Sequence, residues 1–203
     1  MKTQVKICGI RSLVAAQTAV YSGAKFLGFN FVSGSRRKVS PEFAKQIITQ
    51  IKSQVNVVGV FQNQSIEEVN KIADFLDLDF VQLHGDENQE YIDSLNHPVI
   101  KTLALESDFD LNRVVKNIKS FNVQYFLADR AKQGQGKMLN LEKLNMLCKS
   151  YQIFIAGGLT PLNIVEVVRA VEPFAVDVAS GIETRGVEDL EKIKSFIERV
   201  KNA

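Results

Sequence analysis

The chain has no tryptophan, only two cysteines and four prolines, and no apolar run near the about 18 residues that a membrane-spanning helix needs. Cys8 and Cys148 have neither the paired spacing of a zinc site nor the density of a disulfide-stapled secreted domain, so reduced thiols in a cytoplasmic protein are expected. Charge of one sign is also lacking. Twenty-five Lys and Arg against 23 Asp and Glu leave a formal net charge of +2, too little to draw nucleic acid or a membrane surface by global electrostatics. Met1–Gln4 pass straight into Val5–Ile10 with no long apolar segment or small-residue cleavage site, which carries the same expectation of a soluble, cytoplasmic chain. No Ser-, Gly- or Pro-rich linker interrupts the sequence, so one domain over residues 1–203 is predicted.

What is present is alternation. Eight short strand-like runs, 5–8, 26–31, 55–61, 80–84, 99–103, 123–128, 153–156 and 174–178, are separated by longer helix-like stretches, the pattern of parallel strands joined by crossover helices. Ser65 and Glu68 make a capping-box pattern ahead of Ile66, Val69, Ile72, Ala73 and Leu76. Ser40-Pro41 and Thr160-Pro161 each set a capping residue before a proline, and both predict helix starts. A last helix places Val187, Leu190, Ile193, Ile197 and Val200 inward, with Glu188, Lys192 and Glu198 solvated. A doubly wound open sheet fits the alternation too. Eight even units in so short a chain leave little for edge structures and favour an α/β single-domain (β/α)8 TIM barrel.

In such a barrel the functional groups gather at the carboxyl ends of the strands. Strand periodicity sets Lys6 and Cys8 on one face against Val5 and Ile7, and Tyr125, Leu127 and Asp129 against Phe126 and Ala128. The helix-packed face is the more apolar one, so Cys8, Asn30, His84, Asp129 and Asp177 point to the barrel mouth, while Phe29, Phe31, Val176 and Val178 point to the helices. Ala156-Gly157-Gly158-Leu159-Thr160-Pro161 follows the seventh strand and Ala179-Ser180-Gly181-Ile182 the eighth. Their paired placement predicts a phosphate site at Gly157, Gly158, Ser180 and Gly181, since glycine lets backbone N–H groups approach an anion; either segment alone would read as a turn. The run Ser33-Gly34-Ser35-Arg36-Arg37-Lys38 after strand two could grip a carboxylate through a guanidinium fork, or be a solvated charge run.

Lys6-Ile7-Cys8-Gly9-Ile10, Gln82-Leu83-His84-Gly85, Ala156-Gly157-Gly158-Leu159 and Pro173-Phe174-Ala175-Val176-Asp177-Val178 resemble the phosphoribosylanthranilate isomerase family, over essentially the whole chain. The resemblance implies an Amadori rearrangement of N-(5-phosphoribosyl)anthranilate in tryptophan biosynthesis, on a small-molecule substrate and with no cofactor and no metal. It implies Cys8 as general base, Asp129 as general acid and Arg37, ahead of Arg36, as partner of the anthranilate carboxylate. Asp177 would stabilise the positive amino group, and Gln82 and His84 would line the pocket. The chemistry suits the pair: ring opening needs a proton delivered to the furanose oxygen, and the resulting iminium needs one removed from C2. Ordinary pKa values of about 3.9 for Asp and about 8.5 for Cys then require that Asp129 be held protonated and Cys8 be helped to ionise. Cys148 and His97 fall outside the set, as a helix residue and a loop residue.

Two departures stand out. Residues 133–137 and the following Met138-Leu139-Asn140-Leu141 differ from the family's usual loop after strand six, and Ala179 replaces a frequent serine. The alternatives are another phosphosugar-barrel isomerase such as that of histidine biosynthesis, which relies on two aspartates and is disfavoured by Cys8, or a non-catalytic sugar-phosphate-binding barrel. A monomer and a homodimer both remain open.

Overall fold

The computed structural model describes residues 2–131 and 138–203. Eight parallel strands, β1 Gln4–Cys8, β2 Phe26–Asn30, β3 Asn56–Phe61, β4 Phe80–Leu83, β5 Val99–Leu105, β6 Tyr125–Arg130, β7 Ile153–Ile155 and β8 Ala175–Val178, pair in sequence order and close where β8 meets β1, with Val5 opposite Val176 and Lys6 opposite Asp177. The helices α1 Leu13–Ser22, α2 Pro41–Ile48, α3 Ile66–Leu76, α4 Gln89–Asp93, α5 Leu111–Ile118, α6 Leu141–Cys148, α7 Ile164–Val171 and α8 Leu190–Lys201 follow the strands in turn. The chain is thus a (β/α)8 TIM barrel. Between β8 and α8 lies a small hairpin, β9 Glu183–Thr184 and β10 Val187–Glu188.

Period-two alternation divides the apolar residues into two cores. Val5, Ile7, Phe29, Phe31, Val176 and Val178 face the helices, while Phe26, Val58, Ile100, Tyr125, Leu127 and Phe154 fill the barrel. Strand register stacks the inner residues in layers drawn from alternate strands. Phe26, Phe80, Tyr125 and Ala175 make the lowest, and Phe174 closes it from below. Its rings interlock: Tyr125 stacks on Phe174 at 4.8 Å between centroids, and Phe154 meets Phe26 edge-on at 5.0 Å. Lys6, Val58, Ile100 and Phe154 come next, then Gly28, Gln82, Leu127 and Asp177. Cys8, Val60, Thr102 and Ala156 lie above those, with Asn30, His84 and Asp129 at the mouth. The polar residues are therefore sorted by height over an aromatic floor.

Helix starts follow local capping chemistry. Ser40 Oγ accepts from Phe43 N–H at 3.2 Å with Pro41 in the first turn, and Ser65 Oγ accepts from Glu68 N–H at 3.2 Å. Only half of the predicted capping box forms, because the Glu68 carboxylate accepts from the Gln64 side chain instead. Three expectations need correction. The Thr160-Pro161 segment forms a turn, and α7 begins at Ile164 after Asn163; Asn163 reaches back to accept from Thr160 N–H and donate to Gly158 O, which holds this stretch in a loop. Val187 and Glu188 belong to the hairpin and not to the last helix: Val187 is exposed, Glu188 accepts the Arg11 N–H at 2.6 Å, and Phe196 joins Ile193, Ile197 and Val200 on the buried face. The sixth strand lies two residues later than predicted, which brings Asp129 within it.

Phe154 is fully buried among three other aromatic rings, so Phe154→Ala should lower the unfolding free energy in urea by about 3–5 kcal/mol. A loss under about 1 kcal/mol would mean that the floor collapses around the gap instead of keeping a cavity.

Candidate active site

The floor of the site is an ion pair. Lys6 rises from an apolar layer with 0% exposure, and its Nζ donates to Asp177 Oδ1 at 2.9 Å. Burial by itself would lower the lysine pKa, but the charge of Asp177, with Cys8 alongside, outweighs it and the net shift is upward, so Lys6 stays a cation. Cys8 sits one layer above Asp177 and two above Lys6. Gly28 on the neighbouring strand makes room for both: a β-carbon there would lie 2.7 Å from Cys8 Sγ and 3.2 Å from Lys6 Nζ. Burial pushes the Cys8 thiol up, Lys6 opposes that rise, Asp177 adds to it and Arg37 opposes it, leaving the thiol above its ordinary value.

Asp129 closes the site from the β6 side. Burial raises its carboxyl, against the Arg130 N–H bond to Oδ1 at 2.8 Å and the nearby His84, while Asp177 adds to the rise. His84 Nε2 lies 3.7 Å from Asp129 Oδ2, and its Nδ1 lies 3.3 Å from Thr102 Oγ1. Gln82 is 2% exposed, and its Oε1 meets no donor among the described residues, which leaves an acceptor beneath the mouth where a ligand hydroxyl can be read. Cys8, Asn30, Arg37, Gln82, His84, Asp129 and Asp177 all line one cavity of about 450 Å³.

A second lobe of about 310 Å³ shares Arg36, Arg37, Asp129 and Asp177 with the first and runs to Gly157, Gly158 and Ser180. The N–H groups of Gly157, Gly158, Ser180 and Gly181 donate no backbone hydrogen bond among the described residues, and free donors of this kind at loop turns are able to receive an anion. Gly157 and Gly158 adopt φ of +87° and +79°, and a β-carbon on Gly157 would meet Asp129 Oδ1 at 2.7 Å. Gly181 serves differently, for a β-carbon there would collide with the Leu159 carbonyl, so only glycine lets the two loops approach this closely.

Arg37 is already half engaged. Its Nε and Nη2 each donate to Glu183 at 2.8 Å, while Arg36 and Arg11 reach the same carboxylate at 3.1 and 3.3 Å. Burial would raise Glu183, but the Arg37 hydrogen bonds and the three guanidinium charges lower it on balance. Gly9 lies under the Arg37 stem, where a β-carbon would collide with Cδ.

The structure thus brings Cys8, Arg37, Gln82, His84, Asp129 and Asp177 to one cavity and Gly157, Gly158 and Ser180 to the lobe beside it, with Gly181 next in the chain but outside both linings, and it adds residues that carried no signal of their own. Glu183 opens the short strand β9 and Arg11 stands in the loop after β1, neither with a motif, and Gly28 is a lone glycine inside a strand. Arg130 follows Asp129 and packs over Gly158, where a β-carbon would lie 2.7 Å from Nη2. His97 instead bridges Leu78 O and Asp74, far from the cleft in the fold, and Cys148 ends α6. The loop singled out at residues 133–137 lies outside the described residues. Among the described residues no group of three His, Cys, Asp or Glu could hold a metal, and no helix is long and apolar enough to cross a membrane.

Comparison with known proteins gives concordant matches. The family model described as N-(5'phosphoribosyl)anthranilate (PRA) isomerase matches residues 5–199. The N-(5'-phosphoribosyl)anthranilate isomerase of Bacillus cereus strain AH187 is 43% identical over 204 residues, 98% of each chain. The phosphoribosyl anthranilate isomerase of Thermotoga maritima superposes with a TM-score of 0.89 at 34% identity, over 99% of this chain and 100% of that one. A phosphoribosyl anthranilate isomerase in complex with reduced 1-(o-carboxyphenylamino)-1-deoxyribulose 5-phosphate superposes with a TM-score of 0.84 at 33% identity, over 99% and 100%.

The surroundings of the two thiols predict their reactivity. Burial raises both thiols, Cys148 to about 12, but only Cys8 has cations, Lys6 and Arg37, that oppose the rise, so iodoacetamide should label Cys8 before Cys148 as the pH is raised. Lys6→Met removes one cation that opposes the rise at Cys8, so its alkylation should require higher pH. An unchanged pH profile would mean that Lys6 does not act on the sulfur.

Proposed function

This chain belongs to the N-(5'-phosphoribosyl)anthranilate isomerase family, and on that premise we propose that Cys8 and Asp129 carry its reaction as general base and general acid. The reaction is the Amadori rearrangement of N-(5-phosphoribosyl)anthranilate to 1-(2-carboxyphenylamino)-1-deoxyribulose 5-phosphate, an isomerisation in tryptophan biosynthesis. The observation that carries the assignment is the meeting of a carboxyl raised by burial and a thiol beside a buried ammonium in one cavity. Asp129 gives its proton to the furanose oxygen as the C1–O bond breaks and the nitrogen lone pair forms the C1=N bond. Cys8 then takes the C2 proton, and the C–H electrons move toward the iminium to give the enolamine, which tautomerises to the ketose.

The phosphate is assigned to the free N–H groups at Gly157, Gly158, Ser180 and Gly181, and the anthranilate carboxylate to Arg37. Asp177, held by Lys6 through Oδ1, keeps Oδ2 for the positive amino group, with Gln82 and His84 lining the sugar. Two free cysteines suit a reducing cytoplasm.

The two groups imply a distinctive pH dependence. Burial raises both groups, Asp129 from the lower starting value and Cys8 from the higher one, and a carboxylate with a thiol carries one proton between them. The working pair, carboxyl and thiolate, holds the same number of protons, and kcat/KM should therefore be flat between an acid limb set by Asp129 and an alkaline limb set by Cys8. A profile sloping across neutral pH would contradict this pairing.

The assay follows the loss of substrate fluorescence over its spontaneous decay, with little background because the chain lacks tryptophan. Cys8→Ser and Asp129→Asn should each lower kcat by about 10²–10⁴-fold, with affinity for the reduced product analogue nearly unchanged. Wild-type turnover in either variant removes that residue from the mechanism.

A further inference from the structure

A guanidinium has two edges that can grip a carboxylate, a side edge of Nε and Nη2 and an end edge of Nη1 and Nη2. In Arg37 the side edge is filled by Glu183. Arg37 also lines both lobes of the cleft. Three guanidinium groups, on Arg11, Arg36 and Arg37, face two carboxylates, on Glu183 and Glu188, so one positive charge at the mouth has no acidic counterpart in this cluster. Glu183 directly follows the Ser180–Ile182 turn, of which Ser180 lines the second lobe, and Lys192 ties its backbone carbonyl to the start of α8 at 2.9 Å.

We propose that Glu183 is a positioning residue for substrate recognition: its carboxylate takes the side edge of Arg37, turns the end edge toward the cleft, and braces this fork against the turn that holds the phosphate. The phosphate and the carboxylate are the two anionic ends of the substrate. With Glu183 linking their sites, the span between them is set by one rigid unit, and a substrate lacking the carboxylate gains nothing from it. The proposal rests on the assignment of Arg37 to the anthranilate carboxylate.

The test compares N-(5-phosphoribosyl)anthranilate with its aniline counterpart, which lacks the carboxylate, on the wild type and on Arg37→Ala, Glu183→Ala, Glu183→Gln and Glu183→Asp. Losing a well-aimed charge-assisted hydrogen bond weakens binding by about tenfold or more. Glu183→Ala should raise KM for the anthranilate substrate on that scale with a much smaller change in kcat, and leave KM for the aniline substrate near the wild-type value. Glu183→Gln keeps the shape of the side chain and should show a weaker form of the same selective loss, and Glu183→Asp should restore part of the affinity. An equal loss on both substrates, or none on either, overturns the proposal. If Arg37→Ala fails to erase the preference for the carboxylate, the assignment of Arg37 itself is wrong and the role of Glu183 falls with it. If Arg37→Ala erases the preference while the Glu183 variants keep it, only the role of Glu183 is overturned.

Discussion

A lysine ammonium without solvent contact, 2.9 Å from an aspartate carboxylate, joins the first strand of the barrel to the last. Water is excluded from that height by Val58, Ile100 and Phe154, so neither charge could stay there alone; breaking a pair of this kind costs about 3–5 kcal/mol. The pair therefore requires β1 and β8 to be neighbours in this register. It also sets the electrostatics of the site above it. Lys6 favours the Cys8 thiolate, Asp177 disfavours it, and the same Asp177 helps to raise Asp129. One buried pair thus biases both groups of the proposed proton transfers, in opposite directions at the sulfur.

Above this pair the loops are coupled by contact. The loop after β1 brings Gly9 under the Arg37 stem and Arg11 to Glu183, while the loop after β7 brings Gly157 against Asp129 and Gly181 lets the loop after β8 approach Leu159. Each of these glycines makes room for a specific neighbour, so the short family motifs record packing as much as chemistry. The hairpin β9–β10 completes the ring by joining Glu183 and Glu188 to Arg11. The proposed carboxylate and phosphate sites are consequently parts of one rim, and the rim stands on the Lys6–Asp177 pair.

Much of this was legible because strand and helix patterns are local. The alternation of Val5, Lys6, Ile7 and Cys8 already tells which side chains face the barrel, and Ser40-Pro41 and Ser65 mark helix starts that form as read. Local signals misled where a distant group competed for the same atoms. Thr160-Pro161 resembles a helix start, but Asn163 folds back onto it. Glu188 resembles a solvated helix residue, but the Arg11 N–H reaches it from the other end of the chain.

By itself the sequence determined the (β/α)8 pattern, the inward set of Cys8, Asn30, His84, Asp129 and Asp177, and the glycine loops after the last two strands, because periodicities of two and 3.6 residues and turn chemistry are properties of neighbouring residues. Only the tertiary structure decided that Lys6 pairs with Asp177, 171 residues away, and Arg37 with Glu183, 146 residues away. Such pairings depend on which loops the closed barrel brings together. The free energy of a charge depends on what surrounds it in space, and no local pattern contains that.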